Sequence, residues 1–249
     1  MKVLLLNGSH HQNGNTALAL EEAAKALEAE GVETELFQIG AGAIQDCIDC
    51  GKCTEKGCIF TGDPVNAFIA KAKEADGFIF GTPVYYAHPT GRVLSFLDRV
   101  FHAASGIFRL KPGASIAVAR RAGTTASIDA MNKYFTIAEM PVVSSTYWNV
   151  GHGLVAGDIL KDAEGLQTMR NLGKNMAYLL KCLEAGKKSR HRAAWNKAGG
   201  LDPLYSLRLS CADGSAVLFP KNSLFLESSC QKMTASSSRQ LGIWRRGKQ

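Results

Sequence analysis

Residues 7–16 of this 249-residue chain read Asn-Gly-Ser-His-His-Gln-Asn-Gly-Asn-Thr, and this loop decides the predicted fold. It follows the apolar run at residues 3–6, which predicts a buried parallel strand. It precedes an Ala-, Leu- and Glu-rich segment at residues 17–30, which predicts a helix. The first amides of such a helix have no intrahelical partner and lie at the positive end of its dipole. The loop is therefore a candidate phosphate site.

The side chains of this loop indicate which kind of phosphate it would bind. A nucleoside-triphosphate loop carries a Lys immediately before its Ser or Thr, but Asn15 occupies that place and the loop contains no Lys. The three-glycine dinucleotide fingerprint is also absent, because only Gly8 and Gly14 are present. Neutral donors suit a single terminal phosphate such as that of FMN, although an ordinary strand-to-helix turn with a Thr cap is the alternative. The candidate phosphate ligands are Ser9, His10, Asn13, Asn15 and Thr16.

Apolar runs and helical patterns alternate through the following residues. Runs that predict strands lie at residues 2–6, 34–38, 77–80, 115–119 and 141–145. Helical patterns lie at residues 17–30, 64–75, 91–104, 127–138 and 163–184. The alternation predicts an α/β fold, a doubly wound parallel sheet of five strands with helices on both faces. Ligands of such sheets bind at the carboxyl ends of the strands, so the loops after the first, third and fourth strands should converge.

Three later loops could contact a flat heteroaromatic ring. The loop at residues 81–91 is stiffened by two prolines and carries Tyr85 and Tyr86, which could pack against a ring or only against the protein surface. The turn after the fourth strand begins with Arg120 and Arg121, which suit an anion or a flavin carbonyl unless the turn is simply solvated. The aromatic, glycine-rich loop at residues 147–153 could close over the ring or form a subunit contact.

Together these motifs resemble the NADPH-dependent FMN reductase and iron–sulfur flavoprotein family. The matching stretches are residues 8–16, Thr82-Pro83-Val84-Tyr85-Tyr86, Pro89-Thr90-Gly91 and Phe96-Leu97-Asp98-Arg99. The resemblance covers about residues 1–186 and implies a flavodoxin-like sheet with the strand order 2-1-3-4-5. It also implies an FMN phosphate in the loop at residues 9–16. The implied contacts of the flavin ring are Pro83, Val84, Tyr85, Tyr86, Arg121, Gly123 and Thr124.

A compact cysteine cluster lies at residues 47–58, with gaps of two, two and four residues between its cysteines. Four thiolates this close can hold one cubic 4Fe–4S cluster, and Gly51 and Gly57 allow tight turns around it. The motif resembles that of iron–sulfur flavoproteins, with a short last gap. Free thiols, a reversible disulfide or a zinc site are the alternatives. The segment follows the second strand, so we expect it at the same sheet edge as the flavin loops. The candidate ligands are Cys47, Cys50, Cys53 and Cys58.

Charge divides the chain into two parts. Residues 187–249 hold 12 of the 29 Lys and Arg residues but only 3 of the 22 Asp and Glu residues, which leaves residues 1–186 near neutral. We therefore predict an FMN-binding domain at residues 1–186 and a basic, Ser-rich, poorly ordered tail at residues 187–249. A nucleic-acid or membrane-surface role could lie only in the tail, and we predict neither. No signal peptide and no apolar run of membrane-spanning length is present, which predicts a cytoplasmic protein.

The predicted function is that of an FMN-dependent oxidoreductase. It would take hydride from NAD(P)H and reduce a quinone, a flavin or another acceptor, with no side chain acting as nucleophile or obligatory base. The alternative is an iron–sulfur flavoprotein that carries electrons between protein partners. A third possibility is an FMN-binding module that regulates a partner through the basic tail. The expected partners are a small-molecule acceptor or a redox protein, together with a second copy of the chain in a homo-oligomer.

Overall fold

The computed structural model describes residues 1–189 and, beyond them, only the strands Leu207–Ser210 and Ala216–Phe219. The chain divides into two units, Met1–His191 and Arg192–Gln249. Among the described helices, none has the length and apolar character needed to cross a membrane.

The first unit is built on a parallel sheet that carries helices on both faces. Its strands are β1 (Lys2–Asn7), β2 (Glu33–Gln38), β3 (Gly77–Tyr85), β5 (Gly113–Ala119) and β6 (Val150–His152), and β4 (His88–Pro89) pairs antiparallel with the end of β3. The helices are α1 (Asn15–Ala29), α2 (Val65–Glu74), α3 (Gly91–Ala104), α4 (Thr124–Ile137) and α5 (Ala163–Lys188). The order β2-β1-β3-β5-β6 confirms the predicted flavodoxin-like order 2-1-3-4-5, with β4 off the path.

Two apolar cores cover the two faces of the sheet. Successive side chains of a strand point to opposite faces, and β1 accordingly sends Val3 and Leu5 to one core and Leu4 and Leu6 to the other. The first core is closed by α1 and α5, and the second by α2, α3 and α4. Because β1 is buried on both sides, its end carries the loop at residues 8–14 to the middle of the sheet edge.

The fifth strand lies later in the chain than the sequence predicted. Residues 141–145 form only one isolated bridge, in which Val142 pairs with Gly113, and the strand β6 begins at Val150. Between them the chain leaves the sheet, and the Asn149 Nδ2 group donates to the Ser115 carbonyl oxygen (3.1 Å) in place of a strand neighbour. The apolar run at residues 141–145 therefore reflects burial of Val143 in the core rather than continuous pairing.

Helices α1 and α5 approach closely at Gly173. A Cβ atom there would lie 2.5 Å from the Ala23 carbonyl oxygen and 2.8 Å from the Ala26 Cβ. We expect Gly173→Val to lower the free energy of unfolding by about 1–3 kcal/mol, because the two helices must separate. Urea denaturation measures the change.

The control for this prediction is Gly186→Ala in the same helix. A Cβ at Gly186 would have no atom within 4 Å, and Ala has the higher helix propensity. We expect this variant to be unchanged or up to about 1 kcal/mol more stable. Equal stability of the two variants would contradict the close packing of α1 on α5.

The second unit contains one described element, an antiparallel pair of β7 (Leu207–Ser210) and β8 (Ala216–Phe219). The sequence predicted an irregular, poorly ordered tail at residues 187–249, and this strand pair was not among the predicted elements. The remaining predictions for residues 190–249 lie outside the described residues.

Candidate functional site

A cleft of about 680 Å3 opens at the carboxyl ends of β1, β3 and β5. Its walls come from the loop after β1, the end of β3, the end of β5 and a segment after β6. The lining residues are Ser9, His10, His11, Gln12, Asn13, Gly14, Asn15, Thr16, Pro83, Val84, Tyr85, Val118, Ala119, Arg120, Gly153, Leu154 and Ala156. The volume lies within the range typical of small-molecule and cofactor sites.

The floor of the cleft is held by a buried hydrogen-bond network around Asn7. The Asn7 Nδ2 group donates to the Gln38 Oε1 (2.6 Å) and to the His11 carbonyl oxygen (3.1 Å), and the Asn7 Oδ1 accepts from the Ser9 N–H (3.1 Å). Gln38 in turn donates to the Ser9 carbonyl oxygen (2.6 Å). The Ser9 Oγ accepts from the His11 N–H (3.1 Å), which leaves its own hydroxyl hydrogen as a donor. The loop is thereby fixed before any ligand binds.

Gly8 is required because the loop presses onto the end of β3. Its N–H donates to the Gly81 carbonyl oxygen (2.8 Å). A Cβ at Gly8 would lie 2.6 Å from that oxygen and 2.9 Å from the Val93 Cγ2. A side chain at this position would therefore push the loop away from the sheet and distort the cleft.

The N-terminus of α1 faces the cleft without a side-chain cap. The N-cap residue is Gly14, and no side chain accepts a hydrogen bond from the first amides of the helix. The Thr cap of the alternative prediction is therefore wrong, because Thr16 is the second residue of the helix and is 3% exposed. Uncapped first-turn amides at the positive end of a helix dipole are a favourable place for an anion.

The side chain of Asn15, a predicted phosphate ligand, also connects the loop after β1 to the opposite wall of the cleft. Its Nδ2 donates to the Val155 carbonyl oxygen (2.9 Å), and its Oδ1 accepts from the N–H groups of Gly157 (3.0 Å) and Ile159 (3.3 Å). Gly153 lies so close that a Cβ there would be 2.6 Å from the Asn15 Nδ2. The side chain thus joins the loop after β1 to the opposite wall, and the backbone N–H of Asn15 and the second hydrogen of its Nδ2 group are left for a ligand.

The four cysteines at residues 47–58 line a second, separate pocket together with Phe60, Arg99 and His102. Cys58 is buried, the other three are half-buried, and none of the described cysteines forms a disulfide. Burial raises the pKa of the Cys53 thiol, and the neighbouring thiol of Cys58 adds to the shift. The structure therefore places the four predicted ligands in the lining of one pocket.

The position of this pocket differs from the expected one. Arg99 and His102 lie eight and eleven residues beyond Gly91, the first residue of α3. At about 1.5 Å per residue, the pocket lies roughly 12–17 Å along the helix from its start. It shares no lining residue with the cleft. The cysteine segment packs beside α3 instead of joining the flavin loops at the sheet edge.

Residues 1–154 match the model of the NADPH-dependent FMN reductase family. The chain belongs to this family. An iron–sulfur flavoprotein of Methanocaldococcus jannaschii is 35% identical over 192 residues, which cover 74% of this chain and 100% of that protein. A solved flavone reductase matches with a TM-score of 0.56 and 19% identity, over 74% of this chain and 64% of that one. An archaeal flavodoxin matches with a TM-score of 0.50 and 15% identity, over 73% of this chain and 99% of that one, and both likenesses show the shared fold.

Family membership makes the protein an FMN-dependent oxidoreductase, and the cleft fits FMN. The fixed loop of neutral donors below the uncapped α1 provides for a phosphate, and the cleft extends from it past the apolar ends of β3 and β5. All five predicted phosphate ligands line this cleft, as do Pro83, Val84 and Tyr85.

Four residues predicted to contact the flavin ring lie outside the lining: Tyr86, Arg121, Gly123 and Thr124. Tyr86 and Ala87 form the tip of the β3–β4 hairpin with φ of +53° and +60°. Gly123 has φ of +92°, and a Cβ there would overlap the Ala87 Cα. Tyr86 and Gly123 therefore shape the hairpin that carries Tyr85, while Arg120 lines the cleft in place of its neighbour Arg121.

The loop at residues 147–153 was predicted to close over the ring or to form a subunit contact, and its last residue, Gly153, lines the cleft. The adjoining part of this wall, Leu154 and Ala156, was not predicted. The hydrogen bonds between this wall and Asn15 depend on the position of β6, and no local sequence pattern indicates them. Arg120 was named in the turn after the fourth strand, but only its neighbour Arg121 was predicted to contact the flavin ring.

The chemistry of the cysteine pocket suits an iron–sulfur cluster, because four thiols and one buried guanidinium group face it. The free space between them is only about 10 Å3, so a cluster could enter only if the half-buried thiols moved outward. Among residues 1–189, no three His, Cys, Asp or Glu side chains are placed so that they could hold a metal ion.

Proposed function

We propose that this member of the family binds FMN in the cleft, accepts hydride from NAD(P)H and passes the electrons to a quinone, a flavin or another small acceptor. The observation that carries the proposal is the uncapped N-terminus of α1 above a loop already fixed by Asn7. Bound FMN supplies the chemistry of hydride acceptance, so the protein needs no nucleophile and no obligatory base.

Different residues would bind the phosphate and the ring of the cofactor. The phosphate would be bound by the first amides of α1, by the hydroxyl groups of Ser9 and Thr16, and by the side chains of His10 and Asn13. Asn15 would contribute its backbone N–H and keep the opposite wall in place. The ring would lie against the ends of β3 and β5, where Pro83, Val84 and Tyr85 line the cleft.

Arg120 is the cationic side chain of the cleft lining and is exposed. A guanidinium group there would attract the phosphates of an incoming nicotinamide nucleotide. The neighbouring Arg121 is also exposed and would add to the positive potential at the rim.

Anaerobic stopped-flow absorbance tests the proposed reaction. The protein is loaded with FMN, mixed with NADPH or NADH, and followed at the flavin absorption band. We expect the band to bleach far faster than that of free FMN under the same conditions, and to recover when a quinone is added. Bleaching no faster than that of free FMN would contradict the proposal.

A second candidate function is electron transfer between protein partners through a 4Fe–4S cluster held by the cysteine pocket. The convergence of four cysteines on one pocket favours it, and the name of the relative from Methanocaldococcus jannaschii supports it. Anaerobically purified protein should then contain iron and acid-labile sulfide, show a broad absorption shoulder, and bleach only slowly with NADPH. Absence of both iron and sulfide would contradict the electron-transfer function, and the reductase function would then be the remaining candidate.

A homo-oligomer is also proposed for this protein. Large apolar side chains are exposed near the edge strand β6, namely Val142, Tyr147 and Trp148. Burial of such a surface against a second copy would remove it from water. Light scattering after size-exclusion chromatography would give the mass, and a monomer at micromolar concentration would contradict the oligomer. The cytoplasmic location stays a prediction.

A further inference from the structure

The segment between β2 and α2, residues 39–64, contains no helix, and its end is tied down at Cys58. Asn66 of α2 makes two hydrogen bonds to the backbone of Cys58: its Oδ1 accepts from the Cys58 N–H (2.9 Å) and its Nδ2 donates to the Cys58 carbonyl oxygen (2.9 Å). Asn66 also donates to the Phe60 carbonyl oxygen (3.2 Å). The main chain of Cys58 is therefore fixed by a neutral side chain.

The sulfur of Cys58 is fixed by a different residue, Arg99 of α3. Arg99 is the largest fully buried side chain of the described residues, and its Nε–H donates to the Cys58 Sγ (3.3 Å). Its other nitrogens donate to the carbonyl oxygens of Phe60 (3.0 Å) and Gln45 (3.3 Å) and pair with the Asp63 carboxylate. A guanidinium group with these partners is held in one orientation and remains charged.

We propose that Arg99 is a positioning residue of the cysteine pocket, and that it presents a fixed positive charge and an N–H donor to the Cys58 sulfur so as to favour the reduced state of a 4Fe–4S cluster bound there. The inference rests on the second candidate function. When such a cluster takes one electron from an external reductant, no bond is broken and its net charge becomes one unit more negative. A nearby cation and an N–H···S hydrogen bond both stabilise the more negative state and so raise the reduction potential.

Asp63 provides the opposing charge in this arrangement. Its side chain is only 7% exposed and pairs with Arg99, so it offsets part of the positive charge that the sulfur of Cys58 experiences. Changes at Arg99 and at Asp63 should therefore move the reduction potential in opposite directions. A purely structural role of the pair would give no such difference in sign.

The experiment uses full-length protein whose cluster is reconstituted anaerobically with ferrous iron and sulfide. A potentiometric titration with dithionite, followed by electron paramagnetic resonance, gives the reduction potential. In Arg99→Lys a compact ammonium group cannot reach the sulfur and both carbonyl oxygens, so the potential should become more negative. In Asp63→Asn the amide keeps an oxygen for the Val65 N–H, the carboxylate charge is lost, and the potential should become more positive.

Asn66→Ala is the control for loosening of the segment without a change of charge. It removes the two bonds to the Cys58 backbone and should lower the iron content per chain, while the clusters that remain keep the potential of the unchanged protein. Thermal unfolding and FMN content are measured for every variant, to show that the sheet and the cleft are intact.

The inference is supported if Arg99→Lys and Asp63→Asn shift the potential in opposite directions and Asn66→Ala does not shift it. It is overturned if both variants shift the potential in the same direction or leave it unchanged, or if Asn66→Ala shifts it as much as Arg99→Lys. Unchanged protein that takes up no cluster also overturns it. In that case normal FMN binding and NADPH oxidation would still support the reductase function, so the two failures are distinguishable.

Discussion

Asn13→Asp is expected to weaken FMN binding by roughly 10- to 100-fold, or about 1.4–2.8 kcal/mol. The Asn13 side chain is exposed and lines the cleft beside the uncapped N-terminus of α1. The substitution keeps the shape of the side chain and adds a negative charge. Two like charges about 4 Å apart at a protein surface repel by roughly 1–4 kcal/mol, depending on how well water screens them. Titration of the apoprotein with FMN, followed by quenching of flavin fluorescence, measures the effect.

Riboflavin is the matched control for Asn13→Asp, because it carries the same ring without a phosphate. Its affinity should be the same for the variant and for the unchanged protein. The difference for FMN should also shrink as the salt concentration rises, because the charges are near solvent. If the substitution weakened riboflavin and FMN equally, the loop at residues 9–16 would not be the phosphate site.

Cys58→Ser is the second large expected effect, and its readout is the metal content. Cys58 is the buried member of the four pocket cysteines and is held at its backbone by Asn66 and at its sulfur by Arg99. Loss of this anchored thiolate should remove about nine-tenths of the iron and acid-labile sulfide bound after anaerobic reconstitution, since a 4Fe–4S cluster needs four thiolates. FMN content should be unchanged, because the two pockets share no residue.

Cys182→Ser is the control for Cys58→Ser. Cys182 is an exposed cysteine on α5 and lies outside the cysteine pocket. Its replacement removes one thiol from the chain and should leave the iron content unchanged. Equal iron in both variants would mean that iron binds non-specifically or that Cys58 is not a ligand.

The order of the sheet could be predicted because its signals are local. Buried parallel strands are short apolar runs between helices, and β1, β3 and β5 fit that pattern. The strand β2 (Glu33–Gln38) alternates polar and apolar residues and has no buried residue, so its signal was weaker. The fifth strand was predicted at the wrong residues because strand pairing at that edge of the sheet is interrupted. Val143 is buried as a strand residue would be, whereas the strand β6 consists of three residues around Gly151. An apolar run indicates that its residues are buried. At the edge of a sheet, a buried residue need not be hydrogen-bonded to a neighbouring strand.

The same distinction applies to the candidate site: features set by neighbouring residues could be predicted, and contacts between distant residues could not. The loop after β1 was visible because residue types alone indicate a helix N-terminus that can bind an anion. The hydrogen bonds of the Asn15 side chain could not be predicted, because its partners Val155, Gly157 and Ile159 lie about 140 residues away in the chain. Arg99 was noticed only within a motif, since nothing local shows that an Arg on α3 is buried against Cys58.

The measurement that tests the account most directly is the titration of the unchanged apoprotein with FMN and, separately, with riboflavin. Binding at the cleft below α1 predicts one FMN per chain and an affinity for riboflavin at least about tenfold lower, because the charge-assisted bonds to the phosphate are lost. The unfolding temperature should rise when FMN is added, because FMN binds the folded state. Absence of any change in flavin fluorescence and in the unfolding temperature at excess FMN would contradict the central claim.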